Sequence, residues 1–122
     1  MTAWTTEELS RIGNAEEVRI ASVRADGTLR KSVIVWLVRE GDDLYVRSVN
    51  GRNGTWFRGV QDRHEGRVSA AGVEKNVAFL ETTDRTPEID SAYRAKYRDY
   101  PTIVPSILTP AAQAATLRLV PR

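Results

Sequence analysis

The chain is expected to fold as one mainly β domain over residues 1–122, a small closed or split β-barrel of about six strands with helices inserted between them. Three observations carry that expectation. Alternating apolar and polar segments are joined by short glycine turns at Asp26-Gly27, Gly41-Asp42-Asp43 and Gly72. The run Val33-Ile-Val-Trp-Leu-Val38 has no polar break, although a strand with one wet face should alternate. Helical segments with recognisable start signals fall between strands rather than in a block.

The elements follow in order. Thr5-Thr-Glu-Glu8 is a capping-box pattern that opens a short helix with Leu9 and Ile12 on one edge, stopped at Gly13-Asn14. Glu17 to Arg24 alternates as a half-buried strand, and Asp26-Gly27 turns the chain into a second strand over Leu29–Arg39. Because of its unbroken apolar run this strand is expected to be covered on both faces. The barrel interior would lie on one side, and a helix or a second subunit of a two-fold dimer on the other, with Trp36 at or near that interface. Leu44–Val49 is the third strand, and a short helix over 56–61 follows. Arg67–Ala71 and Val73–Thr82 form a hairpin. Thr86-Pro87 reads as an N-cap with proline at the first helical position of a helix running to about Asp99. Pro101, Pro105 and Pro110 break the next stretch, and Thr116–Val120 closes the fold as a last strand.

Composition narrows the chemistry. Cysteine is absent, which excludes disulfides, thiolate metal sites and cysteine nucleophiles. His64 stands alone in Asp62-Arg-His-Glu65, without partners for a metal site or a catalytic triad, and reads as a surface residue. The N-terminus is polar and no apolar run reaches spanning length, so a soluble cytoplasmic protein is expected, with no membrane partner. Of 18 basic residues only Lys31, Lys75 and Lys96 are lysines, and net charge is +2 with acids interleaved throughout. No basic stripe forms, so a small nucleic-acid-binding barrel is the remote alternative. The paired acids Glu7-Glu8, Glu16-Glu17 and Asp42-Asp43 fall at caps and turns, where backbone capping accounts for them.

The densest functional signal is Leu44-Tyr-Val-Arg-Ser-Val-Asn-Gly-Arg-Asn-Gly-Thr-Trp-Phe57, a strand running into a Gly/Asn/Arg loop and then directly into a helix. Such a junction offers backbone N–H groups, a positive helix end and the guanidinium of Arg52, the parts of a phosphate site. The competing reading makes Arg52 a solvated loop residue pairing with Asp42 or Asp43. Trp36, Trp56 and Phe57 read as core anchors or as ring contacts. Tyr93, Tyr97 and Tyr100 recur at one-turn intervals; they either cover the barrel or bring a hydroxyl to a substrate.

Together, Arg30-Lys-Ser-Val-Ile-Val-Trp-Leu-Val38, the Gly-Asp-Asp turn, Leu44-Tyr-Val-Arg-Ser48 and Asn50-Gly-Arg-Asn-Gly-Thr-Trp-Phe57 resemble the flavin/deazaflavin split-barrel superfamily. It includes pyridoxamine-phosphate-oxidase-like proteins and deazaflavin-dependent nitroreductases. Within it the chain is most similar to an uncharacterised bacterial family of unknown function. The resemblance implies a phosphorylated cofactor, FMN or coenzyme F-420, held by Arg30, Lys31, Val33, Ser48, Asn50, Gly51, Arg52 and Trp56, commonly between two subunits. The deazaflavin branch usually carries a lysine and a proline before the tryptophan. Here Arg52 stands for the basic residue and no proline precedes Trp56, which leaves the two cofactors undistinguished. The implied activity is an oxidoreductase passing hydride to a small apolar substrate, with Tyr93 and Tyr97 as candidate proton donors. The alternative is a non-catalytic binder of a flavin or similar ligand on the same fold.

Overall fold

The computed structural model describes residues 3–122. The capping box forms as its residues require: the Thr5 hydroxyl accepts from the Glu8 N–H at 3.1 Å, and the Glu8 carboxylate accepts from the Thr5 N–H at 2.9 Å. They open α1 (Thr6–Asn14), which buries Leu9 and Ile12. Strand β1 (Val18–Ser22) alternates, with Val18 and Ile20 inside and Arg19 outside. After the Asp26-Gly27 turn come β2 (Val33–Val35), β3 (Leu37–Glu40) and β4 (Asp43–Arg47). A 3-10 turn at Gly51–Asn53 leads into α2 (Thr55–Val60). The hairpin β5 (Glu65–Ala70) and β6 (Val73–Glu81) precedes α3 (Thr86–Lys96), α4 (Val104–Ile107) and α5 (Pro110–Gln113), and β7 (Thr116–Pro121) ends the fold.

All seven strands join one antiparallel sheet in the order β2-β1-β5-β6-β7-β4-β3. Its two outer strands, β2 and β3, are consecutive in the chain and separated only by Trp36. The sheet therefore curls until its edges meet at a single residue, which makes a nearly closed, split barrel.

That geometry corrects the expected second strand. Leu29–Arg39 is two short strands on opposite edges, so the sheet has seven strands rather than six. The two-sided cover holds for only part of the run. Leu37 packs into the barrel interior, while Val38 packs under the chain's own α3 with Tyr45, Ile89, Tyr93 and Tyr97. One turn earlier Val33 and Ile34 are 36% and 54% exposed. An unbroken apolar run signals apolar surroundings, but it does not say that one strand supplies them throughout. A smaller correction lies at α3, where Arg85 in the left-handed region (φ 61°) takes the cap position expected of Thr86. The Thr86 hydroxyl instead donates to the Thr83 carbonyl at 2.9 Å.

The candidate functional site

Two hollows flank β2 and share a wall at Asn50 and Trp56. The first, about 390 Å³, is lined by Arg24, Arg30, Lys31, Val33, Asn50 and Trp56 among others. The second, about 330 Å³, lies on the side of Ile34 and Val35 and is closed by Trp36, Arg47, Ser48, Val49, Ile103 and Ile107. Of the eight residues implied as cofactor contacts, Arg30, Lys31, Val33, Asn50 and Trp56 meet in the first hollow, and Ser48 joins Asn50 and Trp56 in the second.

The two basic residues of the β2 approach differ in commitment. Arg30 is tied into the fold: its Nη1 donates to Ser22 Oγ at 3.2 Å and to the carbonyls of Val23 at 3.2 Å and Gly59 at 3.1 Å, and its Nη2 pairs with Asp62. It braces the β1 hairpin against the end of α2. Lys31 is exposed and, among the described residues, has no ion-pair partner. Arg24, on the same hollow, donates to the Thr28 hydroxyl and the Leu29 carbonyl and also lacks a carboxylate partner among the described residues.

Close packing fixes the Asn50–Gly54 loop. Gly51 has φ 70°, and a Cβ there would lie 3.2 Å from Ala111 Cβ; at Gly54 a Cβ would come within 2.4 Å of Ser48 Oγ. Arg52 points away from both hollows. Its Nη1 donates to Glu81 at 2.7 Å, its guanidinium lies 5.2 Å from the Phe57 ring centre, and His64 meets the other Glu81 oxygen at 3.3 Å. The expected alternative partners Asp42 and Asp43 are not involved; the Arg52 hydrogen bond instead holds the Glu81 carboxyl below the usual carboxylate range. Helix α2 has only six residues, so it adds little macrodipole to this loop.

The tyrosine helix packs behind the site. The Tyr93 hydroxyl donates to the Trp36 carbonyl at 2.8 Å, and the Tyr97 hydroxyl meets the Leu37 carbonyl and N–H, both at 3.1 Å. Both side chains are buried, and burial pushes the Tyr93 phenol well up and the Tyr97 phenol up to about 12. Trp36 stacks on Tyr97 with centroids 4.0 Å apart and planes 2° apart. These hydroxyls clamp the β2–β3 junction and do not open into the hollow between Trp36 and Trp56, whose far wall is α4. Tyr97 and Tyr100 instead line, with Trp36, a separate hollow of about 540 Å³.

Sequence reading passed over Arg47. Its side chain is fully buried, paired with Asp90 at 2.5 Å; its Nε donates to Thr116 Oγ1 at 3.0 Å and its Nη1 to the Ile107 carbonyl at 3.2 Å. The usable signal was register: with Leu44 and Val46 facing inward, Arg47 falls on the same outer face as Tyr45, beneath the segment carrying Asp90 and Tyr93.

Residues 8–119 match the family model described as an uncharacterized protein conserved in bacteria (DUF2255). The chain belongs to this family. No curated protein sequence matches it significantly. Several solved structures share its fold at low identity. A conserved hypothetical protein from Mycobacterium tuberculosis matches with TM-score 0.63 at 9% identity, covering 99% of this chain and 82% of that one. A putative 5-nitroimidazole antibiotic resistance protein from Bacteroides thetaiotaomicron gives 0.56 at 17%, over 99% and 81% of the two chains. A FAD-binding protein from Mesorhizobium loti gives 0.55 at 15%, over 98% and 91%. An F420 reductase also matches, at TM-score 0.50 and 17% identity. The family member described here thus shares a split-barrel fold with these structures. Among its described residues no helix is long and apolar enough to cross a membrane, and no cluster of His, Asp and Glu could hold a metal ion.

Proposed function

We propose that the chain binds a phosphorylated flavin or deazaflavin, FMN or coenzyme F-420, across the two hollows beside β2, and reduces a small apolar molecule there. One observation carries the reading: two cations without carboxylate partners among the described residues, Lys31 and Arg24, border a groove with an apolar and aromatic wall. A cationic rim with an apolar floor suits a ligand having a flat ring at one end and phosphate at the other. Lys31 and Arg24 take the phosphate, Arg30 holds the groove wall in shape, and Asn50 offers its amide. Trp36, Trp56, Ile34 and Val35 exclude water from the ring side. The bound cofactor supplies the hydride chemistry; the protein supplies position and electrostatics. Arg52, engaged by Glu81, has no direct part in this reading.

The test is titration with FMN and with coenzyme F-420, followed by cofactor fluorescence and melting temperature. Ligand well above its dissociation constant raises the melting temperature. Lys31→Ala removes an exposed charge at no cost to the fold and is expected to weaken binding by about tenfold, with a flatter salt dependence than the wild type. Absence of a shift with either cofactor rejects the reading.

One observation favours the non-catalytic alternative. Tyr93 and Tyr97, the candidate proton donors, have their hydroxyls engaged by backbone. Reoxidation of the reduced holoprotein by quinones or nitroaromatics separates the two: turnover supports the enzyme, tight binding without turnover the binder.

A further inference from the structure

The separate hollow of about 540 Å³ has an aromatic and apolar wall of Trp36, Tyr97, Tyr100 and Ile103. The Trp36 ring lies flat against Tyr97 and tilted against Tyr100, with centroids 5.8 Å apart in the second pair. Lys96 lines the same hollow. The chain has three lysines, and their circumstances differ. Lys75 pairs with Glu8 at 2.9 Å, and Lys31 stands exposed. Lys96 is half-buried and has no carboxylate partner among the described residues. Its Nζ donates to the Leu37 carbonyl at 2.6 Å and lies 5.2 Å from the Tyr97 ring centre. That carbonyl also accepts from the Tyr97 hydroxyl at 3.1 Å, so it is not stranded if the amine turns away. A partly accessible amine, uncompensated by a carboxylate and dispensable to the carbonyl that holds it, is placed to react.

We infer that the Lys96 amine captures aromatic aldehydes as imines, with the aldehyde's ring seated against Trp36 and Tyr100. The step balances without a further reagent. The nitrogen lone pair forms a C–N bond to the carbonyl carbon, both amine hydrogens pass to the oxygen, and water leaves as the C=N bond forms. Burial favours the neutral, nucleophilic amine and pushes Lys96 down to about 8. The other charged groups on the hollow are Glu16, from the segment after α1, and Arg98 and Asp99, just past α3; none is ion-paired with the amine. Arg98 donates instead to the Ala95 carbonyl at 3.2 Å. The volume is in the range of small-molecule pockets and accommodates a single substituted ring. The inference does not rest on the cofactor reading, because Lys96 and Tyr100 line neither hollow beside β2.

The test is reductive trapping on the full chain. Benzaldehyde and cyanoborohydride are applied briefly at about pH 7.5, and the label on each lysine is read by peptide mass spectrometry. Cyclohexanecarbaldehyde supplies a ring of similar size without a π-face. In each reaction the ratio of Lys96 to Lys31 labelling cancels the aldehyde's own reactivity. At this pH the free-amine fraction of a group at about 8 exceeds that of an ordinary lysine by about two orders of magnitude. Weaker nucleophilicity takes back about one of them. Lys96 should therefore take the benzaldehyde label about tenfold faster than Lys31, its lead shrinking as pH is raised toward about 10. The ratio should be lower for the cyclohexyl aldehyde. Tyr100→Ala, at a position 43% exposed, should bring the benzaldehyde ratio down toward the cyclohexyl one. Labelling of Lys31 as fast as Lys96, or a lead that does not shrink with pH, overturns the inference. Equal ratios for the two aldehydes, or an unchanged benzaldehyde ratio in Tyr100→Ala, overturn the aromatic ligand. Titration with FMN and coenzyme F-420 decides the cofactor reading separately, whichever way the lysine labelling falls.

Discussion

Arginines differ in role here according to how far burial has used up their hydrogen-bonding capacity. Arg52 is solvated and bridges to Glu81, Arg30 is a half-buried brace, and Arg47 is a buried centre with one donor left over. Arg52 stood out in the sequence because a Gly-rich loop advertises an anion site, and Arg30 only through the family resemblance. Arg47 was silent, because an arginine in an alternating strand reads as outward and wet. Nothing local reveals that α3 and α4 fold over that face. The tyrosines show the same limit, since their helical spacing was legible but their partners, the Trp36 and Leu37 backbone, are some sixty residues away. Tyr97→Phe leaves the buried Leu37 N–H without the hydroxyl and should cost about 1–3 kcal/mol of stability in urea unfolding; an unchanged midpoint would deny the hydroxyl its clamping role. Lys96, half-buried over the Tyr97 ring and donating to the Leu37 carbonyl, is pushed down to about 8 by burial. Its folded value lies below its unfolded one, so the unfolded chain binds the extra proton between about pH 8 and the ordinary lysine value. The wild type should therefore gain stability as pH rises through that window, relative to Lys96→Met. A flat difference would show that the amine is fully solvated.

At the level of elements, the hairpin at Gly72, the capping box and the closing strand were all readable from turn chemistry and alternation, because each depends on neighbours in sequence. The division of Leu29–Arg39 was not readable. The two halves pair with strands far apart in the sheet, Val35 with Val18 and Leu37 with Val46, and no local pattern encodes that change of edge. The same dependence on distant pairing makes Gly66 critical. It pairs with Ser22 on one side and Val77 on the other, and a Cβ there would lie 2.1 Å from the Ala21 carbonyl oxygen and 2.7 Å from the Phe79 ring. Neither neighbour is a flexible side-chain end, so Gly66→Ala should force β1 and β5 apart and cost about 3 kcal/mol or more. Thermal unfolding measures it, and a shift in melting temperature of a degree or two would mean that the barrel absorbs the methyl by sliding.

For the molecule as a whole, part of the apolar surface left outside is gathered in one place, although Leu29 and Leu80 lie elsewhere. Ile34, Val49 and Ile103, each about half exposed, rim the second hollow, and Val33, on the same strand, lines the first. Single exposed apolar residues call for no explanation, but a group around one opening marks a contact surface. The proposed contact is a second copy of the chain, related by a two-fold axis, with β2 at the interface and Trp36 behind it. A standard interface buries about 800 Å² per partner, roughly an eighth of the 6751 Å² this chain exposes, and the β2 patch with its rim is the natural centre of such a surface. The dimer would place both hollows at the seam and let one subunit close the mouth of the other's site. Sedimentation at micromolar concentration is expected to show a dimer. Ile34→Glu sets a charge on each side of the axis and should shift the chain to monomer without unfolding it, since the residue is exposed in the isolated barrel. The same variant should weaken FMN or coenzyme F-420 binding, because half of the enclosure is lost. A wild-type monomer at tens of micromolar removes the interface and returns the β2 patch to the ligand alone. A dimer indifferent to Ile34→Glu moves the interface to another face.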